Sequence, residues 1–88
     1  MLNTFKYRAL ETTDAVLLKS SSGVLHSVIL SETSATPVVI WDSTGSGGNK
    51  IATLKASIAE GDYIFDCRFA KGLYIENPGA SKLTVTYA

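Results

Sequence analysis

Residues 63–69 alternate apolar with polar at every position but Ile64. Tyr63, Phe65, Cys67 and Phe69 fall on one face of an extended chain, and Asp66 and Arg68 fall on the other. A period of two fits a strand and no helix. Such a strand sets its aromatic side on a core and its charged side in water. The pattern recurs at 83–87, where Thr84 and Thr86 face outward, and at 73–76, where Leu73 and Ile75 alternate with Tyr74 and Glu76.

Other strand segments are less regular. Residues 23–30 are apolar on both faces except at His26 and Ser27, and 38–41 form an unbroken apolar run. Residues 5–10, 15–18 and 51–54 complete the set, and the offset of three between Ile51 and Leu54 calls for a bulge or a helical turn. Turn formers separate these segments at 20–23, 42–49, 60–62, 71–72 and 77–79, where Gly and Asn accept positive φ and Pro presets the turn entry. Only 53–60 tempts a helix, and it is short, with β-branched Ile58. Seven or eight short strands at this spacing read as a sandwich or barrel, and the fold expected is all-β, a small antiparallel, jelly-roll-like β-sandwich. Leu73, Ile75, Phe65, Cys67, Val85 and Tyr87 are its expected buried residues.

Eighty-eight residues form one domain, 1–88, with 1–4 placed before the first strand as an arm toward a neighbour. At 45% hydrophobic and 18% charged, the chain is too apolar for disorder. No apolar run nears the roughly 20 residues of a spanning helix, so no membrane role is expected. The first ten residues hold Lys6 and Arg8 and no signal-length apolar stretch, so no secretion signal is read. Eight basic residues balance eight acidic ones, which argues against nucleic acid as a partner.

Chemistry is sparse. His26 is the only histidine, so a Ser-His-Asp triad has to be built around it, and its place in an apolar strand reads instead as a core or interface histidine. Cys67, the only cysteine, shares a face with Phe65 and Phe69 and reads as an inert thiol. One cysteine excludes an internal disulfide and a Cys-rich zinc site. The stretch 45–50 lacks the Gly-Lys-Ser/Thr ending of a phosphate loop and reads as a hairpin loop. Asp42, Asp62 and Asp66 are scattered, as solvated charges or surface pairs rather than calcium ligands. No catalytic residue, cofactor or metal is expected, and the chain is read as no enzyme.

One feature points outward. In 38–41 both faces are apolar, and a two-layer sandwich covers only one face of each sheet. Either Trp41 caps the core, or a terminal arm, a loop or a neighbouring subunit covers it. Val39, Trp41 and Tyr74 are the candidate interface residues, aromatic side chains being enriched at interfaces.

The motif series Lys19-Ser20-Ser21-Ser22-Gly23-Val24-Leu25-His26, then Trp41-Asp42-Ser43-Thr44, then Lys50-Ile51-Ala52-Thr53, then Gly72-Leu73 and the closing Val85-Thr86-Tyr87 resembles the small virion proteins of tailed bacteriophages. That family pattern reads K-S-x-x-G-V-L-H, Y-D-x-T, G-x-K-I-A-T, G-L and V-T-Y, and the resemblance covers about 15–88. Trp41 stands where a smaller aromatic is usual, and Cys67 where an aliphatic residue is.

The resemblance implies a non-enzymatic structural protein located in the virion, made in the host cytoplasm, and foremost a capsid decoration (cement) protein. The alternative is a tail or fibre component acting as a receptor or carbohydrate-binding module, with Trp41, Tyr74 and Tyr63 stacking on sugars. Expected partners are further copies of itself, a trimer first, and the major capsid or another virion protein. An oligomer would also shield the apolar face around Val39 and Trp41 and add stability to a small domain.

Overall fold

The computed structural model describes residues 5–88. The expected arm at 1–4 lies outside the described residues. Eight strands follow one another: β1 (Lys6–Leu10), β2 (Asp14–Lys19), β3 (Gly23–Glu32), β4 (Val38–Asp42), β5 (Asn49–Leu54), β6 (Gly61–Phe69), β7 (Leu73–Asn77) and β8 (Lys82–Tyr87). They form two antiparallel four-stranded sheets, ordered β1-β8-β3-β6 and β2-β7-β4-β5. No helix occurs among the described residues.

The pairs β1–β8, β2–β7, β3–β6 and β4–β5 are nested about the β4–β5 tip like one long folded hairpin. Further pairs, β3–β8 and β4–β7, join that ribbon into two sheets. This is jelly-roll topology, in the small antiparallel β-sandwich expected from the sequence.

Inward side chains of both sheets make the core. Leu25, Val28, Phe69 and Val85 from one sheet meet Ile40, Leu73 and Ile75 from the other, all fully buried. The alternation of β6 is observed, and Phe65 and Cys67, like Tyr87, pack against the core without the full burial of Phe69. β6 is an edge strand, so its inward side chains have a neighbouring strand on one side only.

Strand β3 departs from its reading. Between Leu25 and Ser27 its register shifts against both neighbours, with His26 in the shift and Asp66 of β6 at φ 47°. The shift changes the strand's phase, so Leu25, Val28 and Leu30 all reach the core. The outer face of the segment then carries Val24, His26, Ser27 and Ile29. Of its large apolar residues only Ile29 stands exposed. At 51–54 the bulge is realised: Ile40 pairs with Ala52 and Trp41 with Lys50, leaving Ile51 over. The turn expected at 60–62 lies earlier, closed by Ile58 N–H donating to Lys55 O (3.2 Å) with Ser57 at φ 58°. Gly61 and Asp62 already belong to β6.

The β6–β7 turn is pinched. A Cβ on Gly72 would stand 2.8 Å from the backbone oxygens of both Lys19 and Ser43. Gly72→Ala is therefore expected to destabilise the fold by about 1–3 kcal/mol, through forced backbone movement. Urea unfolding with an unchanged m-value checks this.

Candidate functional site

Strands β4 and β7 are the central pair of their sheet. Val38, Ile40, Leu73 and Ile75 point to the core, so Val39, Trp41, Tyr74 and Glu76 occupy the outer face. Register aligns them into two rows. Leu17, Tyr74, Trp41 and Lys50 lie side by side across β2, β7, β4 and β5. Ala15, Glu76, Val39 and Thr53 form the next row.

The three interface residues read from the sequence are thus brought together on one surface. Trp41 takes no part in the core cluster, which decides between the two readings of its position. Its indole is fixed from two directions. Nε1–H donates to Glu76 Oε1 at 3.1 Å, and the Lys50 ammonium lies 5.4 Å from the ring centroid. Leu17 is 42% exposed at the β2 edge of the same row. Sequence reasoning missed Leu17, Lys50 and Glu76. The outward phase of Glu76 was legible beside Tyr74, but cross-strand neighbours are set by register. Tyr63, grouped with Trp41 and Tyr74 as a sugar platform, is elsewhere: it packs against the core from β6, and its hydroxyl donates to Ala59 O.

Asp42 holds this face in place. It ends β4, and its carboxylate accepts from Lys71 N–H (2.8 Å) and Ala70 N–H (3.0 and 3.1 Å) in the β6–β7 turn. Ser43 N–H donates to Gly72 O beside it (3.2 Å). Asp42 is therefore a clasp fixing the end of β4 against the start of β7, where Trp41 and Tyr74 meet, and not a solvated charge. The backbone donors, Lys71 first and then Ala70, hold its carboxyl below the ordinary value of 3.8, partly opposed by desolvation.

His26 and Asp66 meet across the register shift, Nδ1–H donating to the carboxylate, and Phe5 stacks on the imidazole with centroids 4.3 Å apart. This is a His-Asp pair without a triad. The hydroxyl of adjacent Ser27 is engaged with Thr86 Oγ1 at 2.6 Å. Burial pushes the Cys67 thiol above its ordinary value, and the charges of Asp66 and Asp42 push the same way. The loop at 43–48 joins β4 to β5, with Gly47 and Gly48 near φ 95°, as a hairpin loop does. Among the described residues, no three of His, Cys, Asp and Glu cluster as metal ligands would. Comparison with family models, curated proteins and solved structures finds no match for the chain.

Two outcomes follow from these contacts. Asp42→Ala is expected to cost about 1–2 kcal/mol, a charge-assisted interaction discounted for partial solvent access. Because the folded carboxyl titrates below its unfolded value, the contribution is complete above about pH 4 and is lost as pH falls through the folded value. The stability gap between wild type and variant should close on acidification, measured by denaturant unfolding across pH. Cys67 should react with a bulky thiol reagent about tenfold or more slowly in the folded protein than in the unfolded chain, as a thiol with a raised pKa and half-buried sulfur does. Labelling followed by mass spectrometry checks it.

Proposed function

We propose that this chain is a non-enzymatic structural protein of a tailed-phage particle, acting as a capsid decoration protein that docks through the outer face of its β2-β7-β4-β5 sheet. The observation that carries the reading is the fixed aromatic surface: Trp41 and Tyr74 side by side, flanked by Leu17 and Val39, on a face the chain's own core leaves outside. Trp41, already held by Glu76 and Lys50, loses little entropy on docking. One cation and one anion lie on this face, and both are engaged with Trp41, so contact proceeds by area and shape.

The resemblance of the motif series to small virion proteins supports the phage assignment, and a balanced formal charge suits dense packing on a shell. The jelly roll is also a common architecture of capsid and lectin domains, an argument by analogy of fold. A sugar platform has less support, since the Lys50 ammonium lies over the Trp41 ring and Tyr63 is turned to the core.

Quantitative mass spectrometry of purified particles of the encoding phage tests the assignment. A copy number comparable to the major capsid protein is expected, whereas a tail-like copy number, or absence from particles, overturns decoration. Trp41→Ala should fold normally, because Trp41 lies outside the core, yet occupy particles far less, as interface energy concentrates in buried aromatics. Undiminished occupancy by this variant overturns docking by this face.

A further inference from the structure

We propose that copies of this chain associate end to end along their strands, the basic end of one copy meeting the acidic end of the next. The proposal goes beyond docking through Trp41 and does not rest on it. The formal charge is zero, but the fold sorts it by ends. One end of the sandwich gathers the starts of β1, β3, β5 and β7 and the finishes of β2, β4, β6 and β8. It carries Lys6, Lys19, Lys50, Arg68 and Lys71 against two carboxylates, Asp42 and Asp66. Both carboxylates are engaged, Asp42 by the Ala70 and Lys71 backbone and Asp66 by His26. The loops at this end, 20–22, 43–48 and 70–72, hold no carboxylate. The opposite end carries Glu11, Asp14, Glu32, Glu60 and Asp62 against two cations, Lys55 and Lys82. Arg8 and Glu76, inside their strands, complete the eight charges of each sign. His26 with Asp66 is the one ion pair among the described residues, so no Lys or Arg is neutralised within its own copy.

The placement of these charges on the strands identifies the occupant. Three of the four edge strands carry a cation at the basic end and an anion at the acidic end. On β1 these are Lys6 and, just past its last residue, Glu11; on β2, Lys19 and Asp14; on β6, Arg68 and Asp62. Only β5 has like charges, Lys50 and, just past its last residue, Lys55. A second copy set in line, its strands continuing those of the first, brings Lys6 to Glu11, Lys19 to Asp14 and Arg68 to Asp62. Rotation about that line absorbs the twist of the sheets. Five of these six side chains are exposed, and Lys19 is half-buried. Turning the second copy end for end would set basic on basic or acidic on acidic, which is disfavoured.

Such a contact is heterologous, so each copy keeps one free end of either sign and growth stays open. Exposed ion pairs are individually weak and are screened by salt, which makes the association weak and strongly dependent on ionic strength.

Sedimentation equilibrium of the purified chain over a concentration series tests this. At about 0.01 M salt, where the Debye length is about 30 Å, the mean mass is expected to climb with concentration past that of a dimer. At about 1 M salt, where it is about 3 Å, the chain is expected to return to monomer. Arg68→Glu and Asp62→Lys should each lower the association constant about fivefold. Combined in one chain they should restore it, because each reversed charge meets the other in the next copy. Arg68→Glu combined with Asp14→Lys has the same net charge and the same charge at each end, but on different strands, and should show no recovery. Trp41→Ala should leave association unchanged. A monomer at low salt overturns the proposal, as does an assembly that closes at a dimer or trimer, since a side-by-side pair or a ring leaves no free ends. So does association that strengthens with salt, its loss in Trp41→Ala, absence of rescue in the matched pair, or equal recovery by the mismatched one. Should a variant fail to fold, the salt and concentration series on wild type decides alone. Docking through the Trp41 face is read from particle occupancy and stands or falls separately.

Discussion

The pairing of β3 with β8 and of β4 with β7 is the constraint on which the rest of the molecule depends. Without those two ladders the nested strand pairs would form a two-stranded ribbon, which is marginal in water and has no enclosed core. With them, two four-stranded sheets stack face to face, and one inner face of each supplies the buried Leu, Val, Ile and Phe side chains. The same two ladders also create the outer surfaces. The β4–β7 ladder sets Trp41 beside Tyr74, and the β3–β8 ladder sets Ser27 against Thr86 and Ile29 beside Thr84.

Two outer faces and four edge strands result, and the chain treats them differently. The edges carry features that discourage strand addition. The β2 register shifts between Leu17 and Lys19, β5 holds the extra Ile51, β6 carries Asp66 at positive φ, and β1 is short, with Lys6 and Arg8 exposed. The faces instead carry exposed apolar side chains: Leu17 on one, Tyr7, Ile29 and Ile64 on the other. Association through a face rather than an edge is what this distribution favours, and the proposed docking uses the β2-β7-β4-β5 face.

The Asp42 clasp shows how a polar group serves an apolar surface. Its carboxylate is held by the Ala70 and Lys71 backbone donors, and the neighbouring Gly72 leaves room for the Lys19 and Ser43 carbonyls. Trp41 and Tyr74 flank this junction in sequence, one residue before the clasp and two after the pinched glycine. The aromatic surface is therefore anchored by backbone hydrogen bonds at its end and by the Glu76 and Lys50 contacts at its centre.

Alternation by itself determined the all-β class, the inward faces of β6, β7 and β8, and the two-sided apolar character of 38–41, because side-chain direction in a strand has a period of two. Turn chemistry determined the strand breaks at 20–23, 42–49, 71–72 and 77–79. Tertiary structure decided what a period cannot carry. The bulge at His26 moved Val28 and Leu30 to the core side, since one extra residue reverses the phase of everything after it. Asp42 and Asp66 read from the sequence as solvated charges or surface pairs; only the folded β6–β7 turn gives Asp42 its backbone donors, and only the register shift gives Asp66 its partner His26. Whether Trp41 belonged to the core or to the surface was likewise decided by which strands flank β4. Its neighbours Tyr74, Glu76 and Lys50 come from segments distant in sequence, and only sheet register makes them adjacent.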